Sequence, residues 1–595
     1  MKFIVTPSPL GGSITAPASK SHTIRAVFIA ALAQGRSVIL NPLDSADGRS
    51  ALCAVAGMGA DVEVAPGKWT IDGVGGHIQA PACPVDVGNS GTTANFALSM
   101  AALGIAPIYL TGDEQTLARP VAPLLDVLSS FGARITSNKG MLPARVEGPM
   151  DGGAARVDGS TSQYLSSLLI HLPLAPRDSQ LTVPSLNEKP YADMTLRWLD
   201  DMEIEYEREG YELFRVRGRQ SYRCFTRLVP GDFSSATFFA CMGAIPGNSV
   251  SIRGLDFDDS QGDKAVFDYL EAMGASVDRG MEDVRVTGGE LIGARLDLNA
   301  TPDALPAMAA LAAMAQGTTE IVNVPQARIK ETDRIAVMAE ELAKMGVDIE
   351  ERPDGLVIRG GGIKGAKVRS HGDHRVVMSL ALAASRADGP VTIQAAEAVD
   401  ITFPNFADLY RQCGGLLEIA EEQVQIPRSG KGGGALFLQD PGLGVADQIL
   451  FHLPAILLPS VVPPQEPDPG IPQLFIESHG PVVLGRYLQH HRFHFLQPGQ
   501  PLGQGHEPGA DPMVLIGRIH IYGQRGSFPL RPDAQDHVSR QFIGGVGHDK
   551  AHRFFQHEGV EDLQVIGGVG GEQTGVQREH GGDIRPQARA KPDSL

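Results

Sequence analysis

One pattern occurs six times along roughly the first 427 residues and limits the fold more than any other feature. A short strand leads into a loop of Gly, Ser, Asn or Asp, and the loop into a helix rich in Ala and Leu. The six openings are "ITAPASKSHTIRAVFIAALAQG", "VDVGNSGTTANFALSMAALG", "ARVDGSTSQYLSSLLIHLPL", "RLVPGDFSSATFFACMGAIPG", "LDLNATPDALPAMAALAAMAQG" and "VRSHGDHRVVMSLALAASRADG". Their spacing of about 70 residues is longer than solenoid periods. A β-rich run such as "RSVILNPL" or "PVTIQAA" follows each opening, and then a second helix such as "VFDYLEAMGASVDR" or "MAEELAKMGVDIEE". In these second helices apolar residues recur at three- and four-residue spacing, and in most copies a glycine stands at the left-handed C-cap. The first helix of each copy is apolar nearly all round, so it must lie inside, covered by sheet. The expected fold class is α/β: two similar inside-out domains, each of three β-α-β-α-β-β units with buried helices.

Six helix N-termini, each behind a small polar loop, can converge on one cleft and attract anions, because their free N–H groups point outward. The first opening sharpens this. Lys20 and Arg25 lie in its first turns, where the macrodipole disfavours cations unless an anion sits between them and the helix end. The formal net charge of −18 sets nucleic acid and anionic membrane aside as partners of the whole surface. An anionic ligand therefore needs a locally basic site. The five cysteines form no CxxC pair, as expected of reduced thiols in the cytoplasm. No apolar run is long enough to span a membrane. Zinc spacing, a P-loop and a GxGxxG after a strand are all missing from the sequence, so no metal, nucleotide or other cofactor is implied.

Four further stretches carry charge. As a helix, "RIKETDR" sets Lys330 and Arg334 on one face and Glu331 elsewhere, which alone reads as a salt-bridged surface helix. "TPDALPAM" puts Asp303 at a helix start, where a plain N-cap is the simplest role. "GDHRVVM" opens an apolar helix with Arg375, and "LARPV" sets Arg119 before a proline. Together Lys20, Arg25, Arg119, Arg334 and Arg375 would form a cationic ring suited to carboxylates and phosphates. Asp303 and Glu331 would be carboxylates within that ring, available for proton transfer.

Residues 1 to about 427 resemble the 5-enolpyruvylshikimate-3-phosphate synthase (3-phosphoshikimate 1-carboxyvinyltransferase) family throughout. The matches, in the family's order, are "SKSHTIRA", "GNSGTT", "ARP", "STSQY", "KPYADMT", "VPGDFSSA", "QGD", "PDALPAM", "RIKETDR", "GDHRVVM" and "TFPNF". The resemblance implies two domains that close over substrates, the chain crossing near residues 15–20 and again near Arg227. Residues 1–15 with 228–427 would form one domain and 16–227 the other. It also implies transfer of the enolpyruvyl group of phosphoenolpyruvate to the 5-hydroxyl of shikimate 3-phosphate, releasing phosphate, in a monomeric enzyme. Lys20, Asp303 and Glu331 would take the catalytic roles. Lys20, Gly91, Arg119, Gln163, Arg334 and Arg375 would hold phosphoenolpyruvate. Lys20, Ser21, Arg25, Thr161, Ser162, Gln163, Tyr191, Asp303, Gln326 and Lys330 would hold shikimate 3-phosphate. Departures from the family pattern stand at Asn95, Leu117, Gln326 and Ile401. At Glu188 a carboxylate replaces the serine that commonly meets the substrate phosphate. Two alternatives stay open: a related transferase acting on UDP-N-acetylglucosamine, and a non-catalytic protein that binds shikimate-like ligands.

After about residue 428 the composition changes abruptly. This stretch holds 12 of the 17 histidines, no cysteine and three lysines, with Pro- and Gly-rich runs such as "PSVVPPQEPDPGIPQ" that break regular elements. The readings that suit it are translation of a non-native reading frame, or a disordered, His-rich interaction or metal-binding extension.

Overall fold

The structure is a computed structural model and describes residues 1–421. Both readings of the stretch after residue 428 therefore lie outside the described residues. Six four-stranded sheets share one plan. In one of them Val85–Asp86 runs parallel to Ile108–Thr111, which pairs antiparallel with Met141–Glu147, itself antiparallel to Arg134–Asn138. In four of the six units the apolar helix lies between the first two strands of this order in the chain, and in all six the amphipathic helix follows the second.

The inner helices are Lys20–Leu32, Gly91–Leu103, Ser162–His171, Phe233–Ala244, Leu305–Ala312 and His374–Ala384. All twelve residues of Phe233–Ala244 are buried, as an all-round apolar helix requires. Side chains of Ser19, Ser90, Thr161, Asp232 and Asp373 accept hydrogen bonds from the first free N–H groups of five of these helices. The outer helices are one-sided: Arg334–Lys344 buries Arg334, Ile335, Val337, Met338, Glu341 and Leu342 and exposes Glu340, Ala343 and Lys344. Two hydrophobic cores result. One gathers residues between Ala18 and Val229 around the first three inner helices, where Phe28 and Phe96 meet edge to face with ring centroids 5.5 Å apart. The other gathers Phe3 to Ala16 with Phe233 to Leu417 around the last three.

Two of the six opening strands do not join their own unit's sheet, contrary to the simple reading of the repeat. Gly11–Thr15 precedes the first inner helix yet pairs in parallel with Ser249–Arg253. Thr226–Leu228 precedes the fourth inner helix yet pairs in parallel with the strand Gln34–Leu40. The chain thus passes between the cores twice, and the two passages hold each other. Ser19 N–H donates to the Pro230 carbonyl and Asp232 N–H to the Pro17 carbonyl, both at 2.8 Å. Gly231 is required here, since a Cβ would lie 2.3 Å from the carbonyl oxygen of Gly254. The indole N–H of Trp198 donates to His22 Nδ1 at 3.0 Å, so Nε2 carries the proton and donates to Asp259 at 3.1 Å. That relay ties one core to a loop of the other beside the crossing.

The sixth unit is completed from the far end of the sequence. Lys2–Thr6 lies between Val391–Gln394 and Leu416–Ala420, antiparallel to both. Val5 on this strand is fully buried. Val5→Asp places an unpaired carboxylate in the core and is expected to lower stability by about 3 kcal/mol or more. Chemical denaturation checks it, and a loss below about 1 kcal/mol would show that the N-terminal strand is dispensable.

Candidate active site

The cleft between the two cores is lined by Lys20, Ser21, Arg25, Gly91, Arg119, Thr161, Ser162, Gln163 and Tyr191 from one side and Asp303, Gln326, Lys330 and Glu331 from the other. Thirteen of the fifteen residues singled out in the sequence therefore share one wall-to-wall site. The other two, Arg334 and Arg375, do not line the cleft. They sit behind Asp303 and Glu331 and bind them from the rear.

Arg334 is fully buried and touches three carboxylates: Nε donates to Asp373 and Nη1 to Asp303, both at 2.8 Å, and Nη2 to Glu331 at 2.5 Å. Arg375 donates from Nη2 to the second oxygen of Asp303 at 2.9 Å. Burial opposes ionisation of Asp303, but Arg375, Lys330, Arg334 and Lys20 outweigh it and hold the carboxyl far below the usual carboxylate range. Glu331 is held low in the same way, burial being overcome by Arg334, Arg119 and Lys20. Both groups are anions at neutral pH.

The local backbone explains how so few residues deliver these groups. "RIKETDR" is not one helix. Pro325–Ile329 forms a 3-10 turn, Lys330 is extended, and the outer helix begins only at Arg334, where Asp333 accepts from Ala336 N–H at 3.0 Å. The break turns Lys330 and Glu331 into the cleft and leaves Arg334 inside. Asp303 is no N-cap either. It lies in the 3-10 turn Pro302–Ala304 with no capping bond, and its carboxylate is spent on the two arginines.

On the opposite wall Lys20 Nζ pairs with the buried Asp47 at 3.1 Å. Arg25 is buried and bonds only neutral groups: Thr195 Oγ1 and the Tyr191 carbonyl at 2.9 Å, the Ser21 carbonyl at 3.1 Å and Ser166 Oγ at 3.3 Å. It has no carboxylate partner among the described residues, and burial pushes its pKa down to about 10. Arg119 reaches across to Glu331 at 3.6 Å, yet its Nε and Nη2 donors have no hydrogen-bond acceptor among the described residues. Its Nη1 lies where a Cβ on Gly91 would be, 2.4 Å away, so the missing side chain lets the guanidinium lie over the N-terminus of the second inner helix. Gln163 accepts from Asn95 Nδ2 at 2.9 Å, and Gln326 donates to the Asn299 carbonyl at 2.9 Å.

Two acidic groups, Asp47 and Asp263, escaped the sequence reading of the site. Asp47 sits in the first turn of the helix Ala46–Gly57, a position where an exposed Asp is ordinary. Only its burial beside Lys20 marks it. Asp263 closes the "QGD" stretch, and burial together with repulsion from Asp303 pushes it up to about 7. The Tyr191 hydroxyl lies 3.3 Å from both Asp263 and Asp303 and bridges them. Asp373, the cap of the sixth inner helix, doubles as a partner of Arg334.

Inside-out units around a polar cleft rich in helix N-termini define the enolpyruvyl transferase class of fold. The family model for EPSP synthase (3-phosphoshikimate 1-carboxyvinyltransferase) matches residues 4–409. The chain belongs to that family. It is 49% identical over 423 residues to the 3-phosphoshikimate 1-carboxyvinyltransferase of Acetivibrio thermocellus, covering 71% of this chain and 100% of that protein. Identity to the protein of the same name from Methanococcoides burtonii is 42% over 430 residues, with 71% and 100% covered. Among solved structures it resembles an EPSP synthase from Acinetobacter baumannii at TM-score 0.61 and 29% identity, covering 71% of this chain and 100% of that one. The enolpyruvyl transferase NikO from Streptomyces tendae shares the fold at TM-score 0.59 and 18% identity, covering 70% of this chain and 98% of that one.

Gly91→Ala is expected to push the Arg119 guanidinium aside while sparing the core, because the clash is with the end of a flexible side chain. Affinity for inorganic phosphate, read by isothermal titration calorimetry, falls severalfold while the melting temperature moves by less than about 3 °C. Unchanged phosphate affinity would remove Arg119 from the anion site.

Proposed function

We propose that the protein transfers the enolpyruvyl group of phosphoenolpyruvate to the 5-hydroxyl of shikimate 3-phosphate, giving 5-enolpyruvylshikimate 3-phosphate and phosphate. This is a step of the shikimate route to chorismate and aromatic amino acids. The observation that carries the reading is the pairing of unmatched donors with held carboxylates. Arg25 without a counter-ion and the free donors of Arg119 call for anions, and Asp303 and Glu331 face them as bases. Family membership and the relatives' names support the same reaction and do not favour UDP-N-acetylglucosamine as acceptor or a non-catalytic role.

In this reading Lys20, Gly91, Arg119, Gln163, Arg334 and Arg375 receive phosphoenolpyruvate. Lys20, Ser21, Arg25, Thr161, Ser162, Gln163, Tyr191, Asp303, Gln326 and Lys330 receive the acceptor, so that Lys20 and Gln163 touch both ligands. Two polyanions must lie side by side, and the surrounding cations offset their repulsion. The arginines behind Asp303 and Glu331 are shared between carboxylate and ligand. An incoming anion that draws Arg375 or Arg334 toward itself removes the charge that keeps these carboxyls ionised, so their basicity rises as substrates bind. Asp303 then accepts the proton of the 5-hydroxyl as it attacks C2 of the enol. Lys20 supplies the proton that C3 takes up, giving the tetrahedral phosphorylated intermediate. Glu331 beside Lys20 and Arg119 stabilises positive character at C2, and loss of phosphate with a C3 proton regenerates the enol.

No helix among the described residues is long and apolar enough to cross a membrane, and all five cysteines are free thiols. A cytoplasmic location belongs to this proposal, and reduced thiols suit it. The test is release of inorganic phosphate from phosphoenolpyruvate plus shikimate 3-phosphate. Turnover with UDP-N-acetylglucosamine and none with this pair would overturn the reading. Lys20→Met is expected to cut the rate at least 100-fold in a protein that still folds, and wild-type rates in that variant would refute the placement of the site.

A further inference from the structure

One anion in the cleft belongs to the protein itself. The Glu188 side chain is buried, and one carboxylate oxygen accepts from Thr161 Oγ1 at 3.1 Å, Ser162 N–H at 3.1 Å and Ser162 Oγ at 2.9 Å. Its other oxygen pairs with Lys330 Nζ. Two hydroxyls, the first amide of the helix Ser162–His171 and an ammonium are the donor set of a phosphate cradle. Two separate segments supply these donors, the N-terminus of the helix Ser162–His171 and Lys330 from the opposite side of the cleft, and a glutamate fills the space between them.

The backbone is shaped for this. Glu188 has φ 56° and ψ 40°, the left-handed region that non-glycine residues seldom occupy, immediately before the outer helix Lys189–Asp201. Its side chain makes no capping bond to that helix and is aimed into the cleft instead. The donors it holds are three of the groups assigned above to the acceptor substrate: Thr161, Ser162 and Lys330. A phosphate dianion and this carboxylate cannot share them without strong repulsion at contact distance.

We propose that Glu188 is an internal competitor for the phosphate subsite, so that it sets the selectivity between 3-phosphorylated and 3-hydroxyl forms of the acceptor. The inference rests on the function proposed above. A ligand with a phosphate at this position has to displace the carboxylate from four donors, whereas a ligand with a hydroxyl there leaves them undisturbed. The charge of Glu188 therefore weakens the phosphorylated ligand and has little effect on the unphosphorylated one.

Titration calorimetry on the full chain with shikimate 3-phosphate and with shikimate tests this. The wild type is expected to prefer the phosphorylated ligand by less than about tenfold, and a preference above 100-fold overturns the proposal without any variant. Glu188→Ser and Glu188→Gln, which remove the charge, are expected to tighten shikimate 3-phosphate at least tenfold and to change shikimate by less than threefold. Glu188→Asp, which keeps the charge, does not reproduce that gain. Unchanged or weaker binding of shikimate 3-phosphate in folded Glu188→Ser and Glu188→Gln overturns the proposal and makes Glu188 an ordinary structural anion. The phosphate-release assay on the wild type separates this outcome from failure of the proposed function, which is read there and not from the affinity ratio.

Discussion

Arg334 is the point on which the electrostatics of the cleft depends. A guanidinium removed from water is costly unless its donors are matched, and here Asp303, Glu331 and Asp373 match them. Each of those carboxylates comes from a different segment: the turn before the fifth inner helix, the break before the outer helix, and the cap of the sixth inner helix. One side chain thereby fixes how two repeat units meet. It also keeps the two cleft-facing carboxylates charged and oriented without any bound ligand. The site is preorganised from behind, and its front is left to the substrates.

The opposite wall is organised by a different rule. Inner helices end at the cleft, and small residues there let other groups approach their N-termini: Gly91 admits Arg119, and the hydroxyls and amide of Thr161 and Ser162 gather around Glu188. Cations from both walls reach across, Arg119 to Glu331 and Lys330 to Glu188. The walls are thus held together by the same groups that bind anions. Ligand exchange and the separation of the two sides are coupled through shared ion pairs, while the backbone bonds at the double crossing between Pro17–Ser19 and Pro230–Asp232 hold their base.

Much of this was legible along the chain. The repeat announced buried helices, because an all-round apolar helix cannot face water, and the polar openings announced where the helices point. The repeat alone did not disclose the fate of the opening strands; only the family resemblance implied crossings near residues 15–20 and Arg227. "GGSIT" and "TRL" look like the start of the units they precede, yet hydrogen bonding to Ser249–Arg253 and Gln34–Leu40 places each in the other half of the molecule. A strand's own residues do not name its neighbour. The "RIKETDR" stretch failed for a related reason. Its spacing suits a helix, but Asp333 caps a helix that starts later, and tertiary ion pairs pull the preceding residues out of helical geometry.

The sequence by itself determined the six-unit plan, the class of fold and most of the residues that meet in the cleft. Those follow from periodicity and from ordered motifs, both local properties. Only the tertiary structure decided which charges neutralise which. It placed Arg334 and Arg375 behind the carboxylates, paired Lys20 with Asp47, and set Glu188 among the donors of a phosphate cradle. Those pairings join residues up to 142 positions apart in the chain. Their strength depends on burial and distance, quantities that exist only once the two halves have folded and closed against each other.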